Sequence, residues 1–340
     1  MDKRVIFAVA GSGKTQLIID SLDLKIRSLL ITYTDNNYVN LKLRIIRRFG
    51  YIPSNIYIYT YFSFMYSFCI KPYFSDDFRI VGINYKPNPN RYAKGNDRYI
   101  DNYNRLYSNR IAKFLDIKSA LPLIRGRLER YFDILCVDEV QDMGGYDFNF
   151  LMALSEANIT QLYLGDFYQH TFDTSNDGVV NANLHSDYEL YKSRFVQSNF
   201  TVDTTTLNKS YRCSITVCDF VTRKLRINIE SHKSEPAIVK SINSLDEARS
   251  VITDDSIIKL FYREHNKYRC YSSNWGESKG IDKYNDVCVV LNKTTNDLYI
   301  KDEMYNLKPT TKNKFYVACT RARRNLYLIS ETFLAEYKVS

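Results

Sequence analysis

A candidate phosphate-binding loop stands near the start of the sequence. The run AVAGSGKT (8–15) contains Gly11 and Gly13, which let backbone N–H groups turn toward phosphate oxygens. Lys14 can reach the terminal phosphates of a nucleotide, and the Thr15 hydroxyl can bind Mg²⁺. A chance glycine-rich turn is the alternative, and the complete GSGKT argues against it. The other residues of the predicted nucleotide-binding loop are Ala10, Ser12 and Gln16.

Two adjacent acids predict hydrolysis of the nucleotide. In FDILCVDEVQD (132–142), an apolar run ends on Asp138 and Glu139. Asp138 can hold the Mg²⁺ shell, while Glu139 can orient and deprotonate an attacking water. Hydrolysis requires both functions, and simple phosphoryl transfer does not. A capped surface strand would explain one acid but not the cluster.

A third apolar run, QLYLGDFYQ (161–169), ends in polar residues as well. Its amide, Gln169, is placed to sense a γ-phosphate. Each of these runs therefore ends on a group suited to phosphate chemistry.

These residues must be positioned by strands of one sheet. Residues 5–9 read as a buried strand and Thr15 begins a helix, so the loop follows a strand and precedes a helix. Strands alternating with helices predict an α/β fold with a parallel sheet, whose carboxyl ends line one ligand crevice. Further along, we expect a strand at 237–242, a helix at 245–252 and a strand at 256–262.

Composition limits the class of protein. The 340 residues allow two modest domains, and 45% hydrophobic with 25% charged residues is typical of a globular protein. The net charge of +9 permits a polyanionic partner without proving one. The 29 tyrosines favour composition bias over a binding surface, because aromatic platforms also need a basic groove. No membrane span is expected, and the seven single cysteines indicate reduced core residues of a cytoplasmic protein.

Ordered motifs resemble the motor of UvrD/Rep-like superfamily 1 DNA helicases. In the first half these are AVAGSGKT, ITYTDNN, IYTYFSF, VDEVQD and LGDFYQ, and in the second half LNKSYRC, GESKGIDKYNDVCVVL and FYVACTRARRNLYLI. The resemblance spans nearly the whole chain. It implies two RecA-like P-loop NTPase domains, 1–203 and 204–340, with parallel β-sheets flanked by helices and the nucleotide in the cleft between them.

The resemblance also implies site residues in the second half. Tyr211 is expected to stack on adenine, Arg212 to act as an arginine finger, and Arg321 to bind the γ-phosphate. Gly280 and Asp282 lie in the motif that couples nucleotide to DNA. Two arginines that bind triphosphate would favour domain closure before hydrolysis and weaken it afterwards.

Single-stranded DNA is the expected track. The family places it across both domains, and aromatic faces can stack bases while hydroxyls hold phosphates. A packed core position is the alternative for any single aromatic. Basic residues at 42–48 add positive charge or form a solvated helix face. The candidate nucleic-acid contacts are Thr32, Tyr33, Thr34, Thr60, Tyr61, Phe62 and Phe172.

The sequence departs from the family pattern at several places. Gln16 replaces a frequent arginine, Gly276 a usual histidine, and Asp282 a usual glutamate. The large accessory insert of the family is expected to be absent. A small insert at about 70–130 includes the polar run NYKPNPNRYAKGNDRY, which predicts a loop or flexible arm beside a reduced helical accessory domain.

The expected function is an ATP- and Mg²⁺-dependent translocase on single-stranded or partial duplex DNA, a helicase moving 3′→5′ by resemblance. A replication or repair protein is the expected partner class, and a bacterial or viral source is expected. A nucleotide-gated DNA clamp or accessory subunit without unwinding is the first alternative. A small-molecule P-loop kinase is the second, disfavoured by DEVQD and by the distant arginines.

Overall fold

In the computed structural model, the chain forms two compact units. The structure describes residues 2–171, 174 and 179–339. The first unit comprises Met1–Phe7, Lys14–Gly165 and Phe172–Asp203, and the second comprises Ala8–Gly13, Asp166–Thr171 and Thr204–Ser340. Two short segments that follow strands of the first unit therefore belong to the second.

The first unit alternates strands with helices. Helix α2 shows how the sequence sets an element's ends, because the Thr34 hydroxyl caps its first turn and Gly50 ends it in a left-handed conformation. The elements are β1 (Lys3–Phe7), α1 (Lys14–Asp20), β2 (Ser28–Thr32), α2 (Asp35–Phe49), β3 (Ile56–Thr60), α3 (Tyr61–Phe64), α4 (Lys71–Phe78), β4 (Gly82–Asn84), β5 (Arg105–Tyr107), α5 (Ile111–Ile117), α6 (Leu121–Tyr131), β6 (Ile134–Val137), α7 (Gly145–Leu154), β7 (Thr160–Gly165), α8 (Tyr188–Gln197) and β8 (Thr201–Asp203). A π-helical stretch at Met65–Ile70 joins α3 to α4.

A six-stranded parallel sheet forms the core of this unit, in the order β3-β2-β6-β7-β1-β8. The central strands are mainly apolar because helices cover parallel sheets on both faces. All the carboxyl ends lie at one edge. That edge therefore brings together the residues that come directly after β2, β3 and β6.

The second unit has its own five-stranded parallel sheet, in the order β11-β15-β14-β12-β13. Its elements are β9 (Lys209–Ser210), α9 (Ile215–Leu225), β10 (Glu230–Ser231), β11 (Val239–Ile242), α10 (Leu245–Thr253), β12 (Ile257–Phe261), β13 (Ser272–Asn274), β14 (Asp286–Leu291), α11 (Lys293–Ile300), α12 (Pro309–Cys319) and β15 (Leu326–Ser330). Trp275, Phe315 and Tyr316 are fully buried in its core.

Most predicted elements are confirmed. The strand at 237–242, the helix at 245–252 and the strand at 256–262 are β11, α10 and β12. The predicted strand at 5–9 ends early, at Phe7, because the Val9 N–H donates to the carbonyl of Leu207 instead of to a neighbouring strand. The α/β class with parallel sheets flanked by helices is confirmed.

The insert at about 70–130 contains helices α4, α5 and most of α6, together with a short sheet. Residues 79–110 carry a two-stranded parallel sheet, β4 paired with β5, and helices α5 and α6 come after it. Asp101 organises this segment by accepting hydrogen bonds from the backbone N–H groups of Tyr103 and Arg105. The polar run between the strands forms a loop with one 3₁₀ turn, as its composition predicts.

All seven cysteines are unpaired thiols, and six of them are buried. This agrees with the prediction of reduced core residues. Among the helices that the structure describes, none combines the length and the apolar character needed to cross a bilayer.

Candidate nucleotide-binding site

The phosphate loop adopts a backbone that strongly favours glycine. Gly11 and Gly13 both have positive φ, +70° and +92°. A Cβ at Gly11 would also lie 2.6 Å from the Cβ of Arg212, so a side chain there would collide with its neighbour. The Ser12 hydroxyl is buried and has no hydrogen-bond partner within the described residues. A buried polar atom without a partner is suited to a bound polar ligand.

Within the first unit, Lys14 and Glu139 meet. Lys14 opens α1, with Thr15 next and Gln16 exposed beside them. The Lys14 Nζ atom lies 3.9 Å from Glu139 Oε1. The structure therefore joins the predicted phosphate-binding lysine to the predicted general base.

The acids Asp138 and Glu139 directly follow strand β6. Asp138 is buried, and its carboxylate accepts the N–H of Glu139 at 3.0 Å. Glu139 adopts a left-handed backbone, with φ of +57°. This conformation is uncommon outside glycine and is concentrated at functional sites.

Gln141 orients the Glu139 carboxylate, and sequence reasoning missed it. Its Nε2 donates to Glu139 Oε2 at 2.5 Å. Room for Gln141 comes from Gly165 at the end of β7, where a Cβ would lie 2.6 Å from the Gln141 Oε1. The only signal in the sequence is an amide two residues after the acid pair.

In the second unit, the motif around Tyr211 packs on the phosphate loop. The Tyr211 N–H donates to the Gly11 carbonyl at 2.9 Å. The Tyr211 ring lies parallel to the His232 ring at 3.8 Å and remains 62% exposed. An exposed ring face beside the loop suits base stacking. Gly280 is exposed, has positive φ, and a Cβ there would meet nothing within 4 Å.

The two predicted phosphate-binding arginines share one carboxylate. Arg212 forms an ion pair with Asp282 and donates to the Thr320 carbonyl at 3.2 Å. Arg321 Nη1 lies 4.0 Å from the same Asp282 oxygen. Burial and the nearby Arg212 charge lower the pKa of Arg321 to about 10, so it stays charged at neutral pH. Asp282 therefore serves as the counter-ion of both arginines.

Replacing Asp282 by Asn tests this counter-ion role. Exposed ion pairs contribute up to about 1 kcal/mol, so freeing the arginines should tighten ATP binding by about two- to five-fold. Titration of a fluorescent ATP analogue measures this change, with Glu277→Gln from the same loop as the control. Weaker binding would instead indicate that Asp282 contacts the nucleotide itself, as its motif position predicts.

Gln169 is held in a 3₁₀ turn of the second unit. The Asp166 carboxylate caps this turn by accepting the N–H of Tyr168 at 3.1 Å, and it also accepts from Gln169 Nε2 at 2.8 Å. Both Asp166 and Gln169 are buried. The Gln169 amide, which the sequence predicts to sense phosphate, is therefore oriented by the carboxylate of Asp166.

The predicted nucleic-acid residues of the first unit fall into two groups. Thr32 and Tyr61 are buried, and the Tyr61 hydroxyl donates to Asp147 at 2.8 Å, so these two side chains are placed in the core. Thr34 and Thr60 cap α2 and α3 through their hydroxyls. Tyr33 and Phe62 are partly exposed, with ring centroids 5.9 Å apart. Phe172 lies outside the described residues.

A third ring joins Tyr33 and Phe62. The Phe62 ring meets the ring of Tyr85, from the insert, edge to face at 5.4 Å. Tyr85 is 67% exposed. The name aromatic strip is used below for Tyr33, Phe62 and Tyr85.

The parallel sheets and the phosphate loop with its acids define a P-loop NTPase with a helicase RecA-like fold. Residues 116–330, more than half of the chain, match the model of the viral superfamily 1 RNA helicase core domain. The chain belongs to that family. Its membership of superfamily 1 is thereby confirmed, while the narrower UvrD/Rep-like assignment stays a prediction.

A solved structure supports the fold. This chain is similar to arterivirus nonstructural protein 10, a helicase described in complex with DNA, with a TM-score of 0.51 and 12% sequence identity. The likeness covers 96% of this chain and 60% of that chain, so this chain spans less than two thirds of that protein's length. No curated protein sequence matches significantly.

Proposed function

We propose that the chain is an ATP-driven motor on single-stranded nucleic acid, with two motor domains at 1–203 and 204–340. The supporting observation is the proximity of the phosphate loop to Arg212, because a Cβ at Gly11 would lie 2.6 Å from the Arg212 Cβ and an arginine beside such a loop can neutralise charge on the transferring phosphate. The helicase family membership is consistent with this proposal.

The proposed reaction is hydrolysis of the terminal phosphate. The oxygen of a water attacks the γ-phosphorus, the bond from that phosphorus to the β–γ bridging oxygen breaks, and the water's proton passes to the Glu139 carboxylate. The products are ADP and inorganic phosphate. Lys14, Arg212 and Arg321 bind phosphate oxygens, and Gln169 contacts the γ-phosphate or the attacking water.

The predicted Mg²⁺ ligands suit that ion. The Thr15 hydroxyl and the buried Asp138 carboxylate are oxygen donors, which Mg²⁺ prefers, and Mg²⁺ usually takes its other ligands from phosphates and water. Over the described ranges no three His, Cys, Asp or Glu side chains gather as a metal site, so the ion would arrive with the nucleotide. When bound, it would neutralise charge on the phosphates.

The aromatic strip is the proposed track for bases. Sequence reasoning set the tyrosines aside for lack of a basic groove, and the insert supplies the charge. Residues 79–110 contain seven Lys or Arg and only two Asp, a large part of the chain's net +9. The rings of the aromatic strip suit stacking with the bases of single-stranded nucleic acid, and the basic segment suits binding of its phosphates.

Replacing Tyr85 by Ala should weaken binding of a single-stranded oligomer about ten-fold, because stacking contributes roughly 1–3 kcal/mol per base. The salt dependence should not change, since no cation is removed. Fluorescence anisotropy at two salt concentrations measures both. Tyr51→Ala is the matched control, because Tyr51 is also exposed, at 58%, but lies before β3 and is not part of the aromatic strip. Equal losses in the two variants would refute the track.

The finer assignments are tested together. We propose DNA as the track and 3′→5′ movement, which derive from the UvrD/Rep-like resemblance, and a replication or repair protein as a partner. ATP hydrolysis is measured without nucleic acid and with short DNA or RNA oligomers, and strand displacement with duplexes tailed on either end. Hydrolysis that no oligomer stimulates would contradict the motor. Stimulation without displacement on either tail would favour the nucleotide-gated clamp.

A further inference from the structure

A buried hydroxyl links the phosphate loop to Gln169. Tyr316 lies on α12 and is fully buried. Its Oη accepts the backbone N–H of Ala10 at 2.9 Å and donates to Asp166 Oδ2 at 3.1 Å. The same carboxylate oxygen accepts from Gln169 Nε2 at 2.8 Å. The chain of contacts therefore runs from the loop backbone to the predicted phosphate-sensing amide.

Each group in this chain has a fixed hydrogen-bonding role. The Ala10 N–H can only donate, and the Asp166 carboxylate can only accept, so the Tyr316 hydroxyl must do both. Burial raises the pKa of Tyr316 well above its usual value, and the nearby Asp166 charge raises it further, so the hydroxyl keeps its proton. Phenylalanine could replace the ring but neither hydrogen bond.

The carboxylate also fixes which way the Gln169 amide faces. Rotating the amide by 180° would bring Oε1, an acceptor, against Asp166 Oδ2, another acceptor. The Gln169 Oε1 is thereby held on the opposite side of the amide from Asp166. An oxygen held in this way can accept a hydrogen bond from an attacking water and so orient it.

We propose that Tyr316 is a positioning residue for hydrolysis, holding the start of the phosphate loop and the Gln169 amide in fixed register through Asp166. This inference rests on the proposed ATPase function. Tyr316 contacts no reacting atom, and it acts through Ala10 and Asp166. Tyr316 lies on α12, which ends two residues before Arg321. The same helix therefore helps to position the phosphate loop, Gln169 and Arg321.

Replacing Tyr316 by Phe should lower the kcat for ATP by about 10- to 100-fold, because misplacement by about 1 Å can cost 10²-fold in rate. The dissociation constant for an ATP analogue should change less than about three-fold, since the residues that bind phosphates remain. A purely structural role would lower the melting temperature without this separation of turnover from binding.

Tyr163→Phe is the matched control. Tyr163 is also fully buried, and its hydroxyl donates to Gln161 at 2.9 Å in β7, without contact to the phosphate loop. Its loss should cost stability similarly and leave kcat unchanged. Equal kcat losses in the two variants would overturn the positioning role.

A double variant tests whether Tyr316 acts through Gln169. If it does, the kcat loss of Tyr316→Phe combined with Gln169→Ala should be clearly smaller than the product of the two single losses, because neighbours in one network are not additive. Fully multiplied losses would place the effect of Tyr316 elsewhere and overturn the inference. An inactive wild-type chain would instead refute the proposed ATPase function, while an active wild type with a fully active Tyr316→Phe variant would refute only the inference.

Discussion

Glu139→Gln is expected to reduce nucleic-acid-stimulated ATP hydrolysis by about 10³-fold while leaving ATP binding nearly intact. General base catalysis typically contributes about 10²- to 10⁴-fold, and an amide cannot accept the water's proton as a carboxylate does. Glutamine has the same shape and length, so the change removes the basicity and little else.

The surroundings of Glu139 support this separation of binding from turnover. Gln141 Nε2 donates to Glu139 Oε2, and a glutamine at 139 could still accept through its own carbonyl oxygen. The 3.9 Å ion pair with Lys14 would be lost, which leaves the lysine no less able to bind phosphate. The left-handed backbone at 139 is equally uncommon for Glu and Gln, so folding should be little affected.

Phosphate release with a saturating oligomer measures the rate, and titration of a fluorescent ATP analogue measures binding. Glu156→Gln is the matched control, because this glutamate of the first unit is exposed and pairs with Arg125. Turnover near the wild-type rate in a pure sample of the Glu139 variant would show that another group takes the proton.

The sequence sufficed to predict the fold class and the ends of several strands. The apolar run 134–137 leads directly into two acids, and a strand of a parallel sheet must place the residues after its last one at the carboxyl edge. The spacing around Lys14 likewise requires a strand, a turn and a helix. These are local patterns, and each has one structural solution.

Contacts between distant segments could not be predicted. Ala10 and Tyr316 are 306 positions apart, and Tyr316 and Asp166 are 150 apart. No periodicity in either segment encodes such a pair, because the partner is chosen by the packing of α12 and not by local pattern. For the same reason, the sequence could not predict that Arg212 and Arg321 share the carboxylate of Asp282.

The sequence also did not reveal which residues of a motif are buried. ITYTDNN and IYTYFSF each offer hydroxyls and rings, and sequence alone does not show which alternate residues face the core. In the structure Tyr61 points inward to Asp147 while Phe62 faces Tyr85. The insert that carries Tyr85 also contains a two-stranded sheet, which no pattern in its sequence revealed.

Arg321→Lys is expected to lower kcat for ATP by about 10²-fold and Arg321→Ala by about 10³-fold, since arginine fingers contribute about 10³- to 10⁵-fold. Lysine keeps the positive charge but cannot present two parallel N–H groups to a phosphate. The difference between the two variants therefore separates the contribution of charge from that of geometry.

The environment of Arg321 explains why it should bind an anion. The side chain is 1% exposed, its Nε donates to Val317 and its Nη1 to Ile281, both at 3.2 Å. Its Nη2 is buried with no hydrogen-bond partner in the described part of the chain, and the nearest carboxylate, that of Asp282, is already paired with Arg212. A buried cation with an unsatisfied donor is costly, and a phosphate oxygen would relieve that cost.

Nucleotide-dependent thermal stabilisation gives a reading that does not depend on turnover. A ligand that binds only the folded chain raises the melting temperature with its concentration, so a saturating, non-hydrolysable ATP analogue should stabilise the wild type more than either Arg321 variant. Arg324→Lys is the matched control, because Arg324 lies three residues further on, is exposed and pairs with Asp286. If the Arg321 variants gained as much stability from the analogue as this control and kept its kcat, the Arg321 guanidinium would have only a structural role after α12. The positive charge that the proposed transition state requires would then have to come from Arg212 and Lys14.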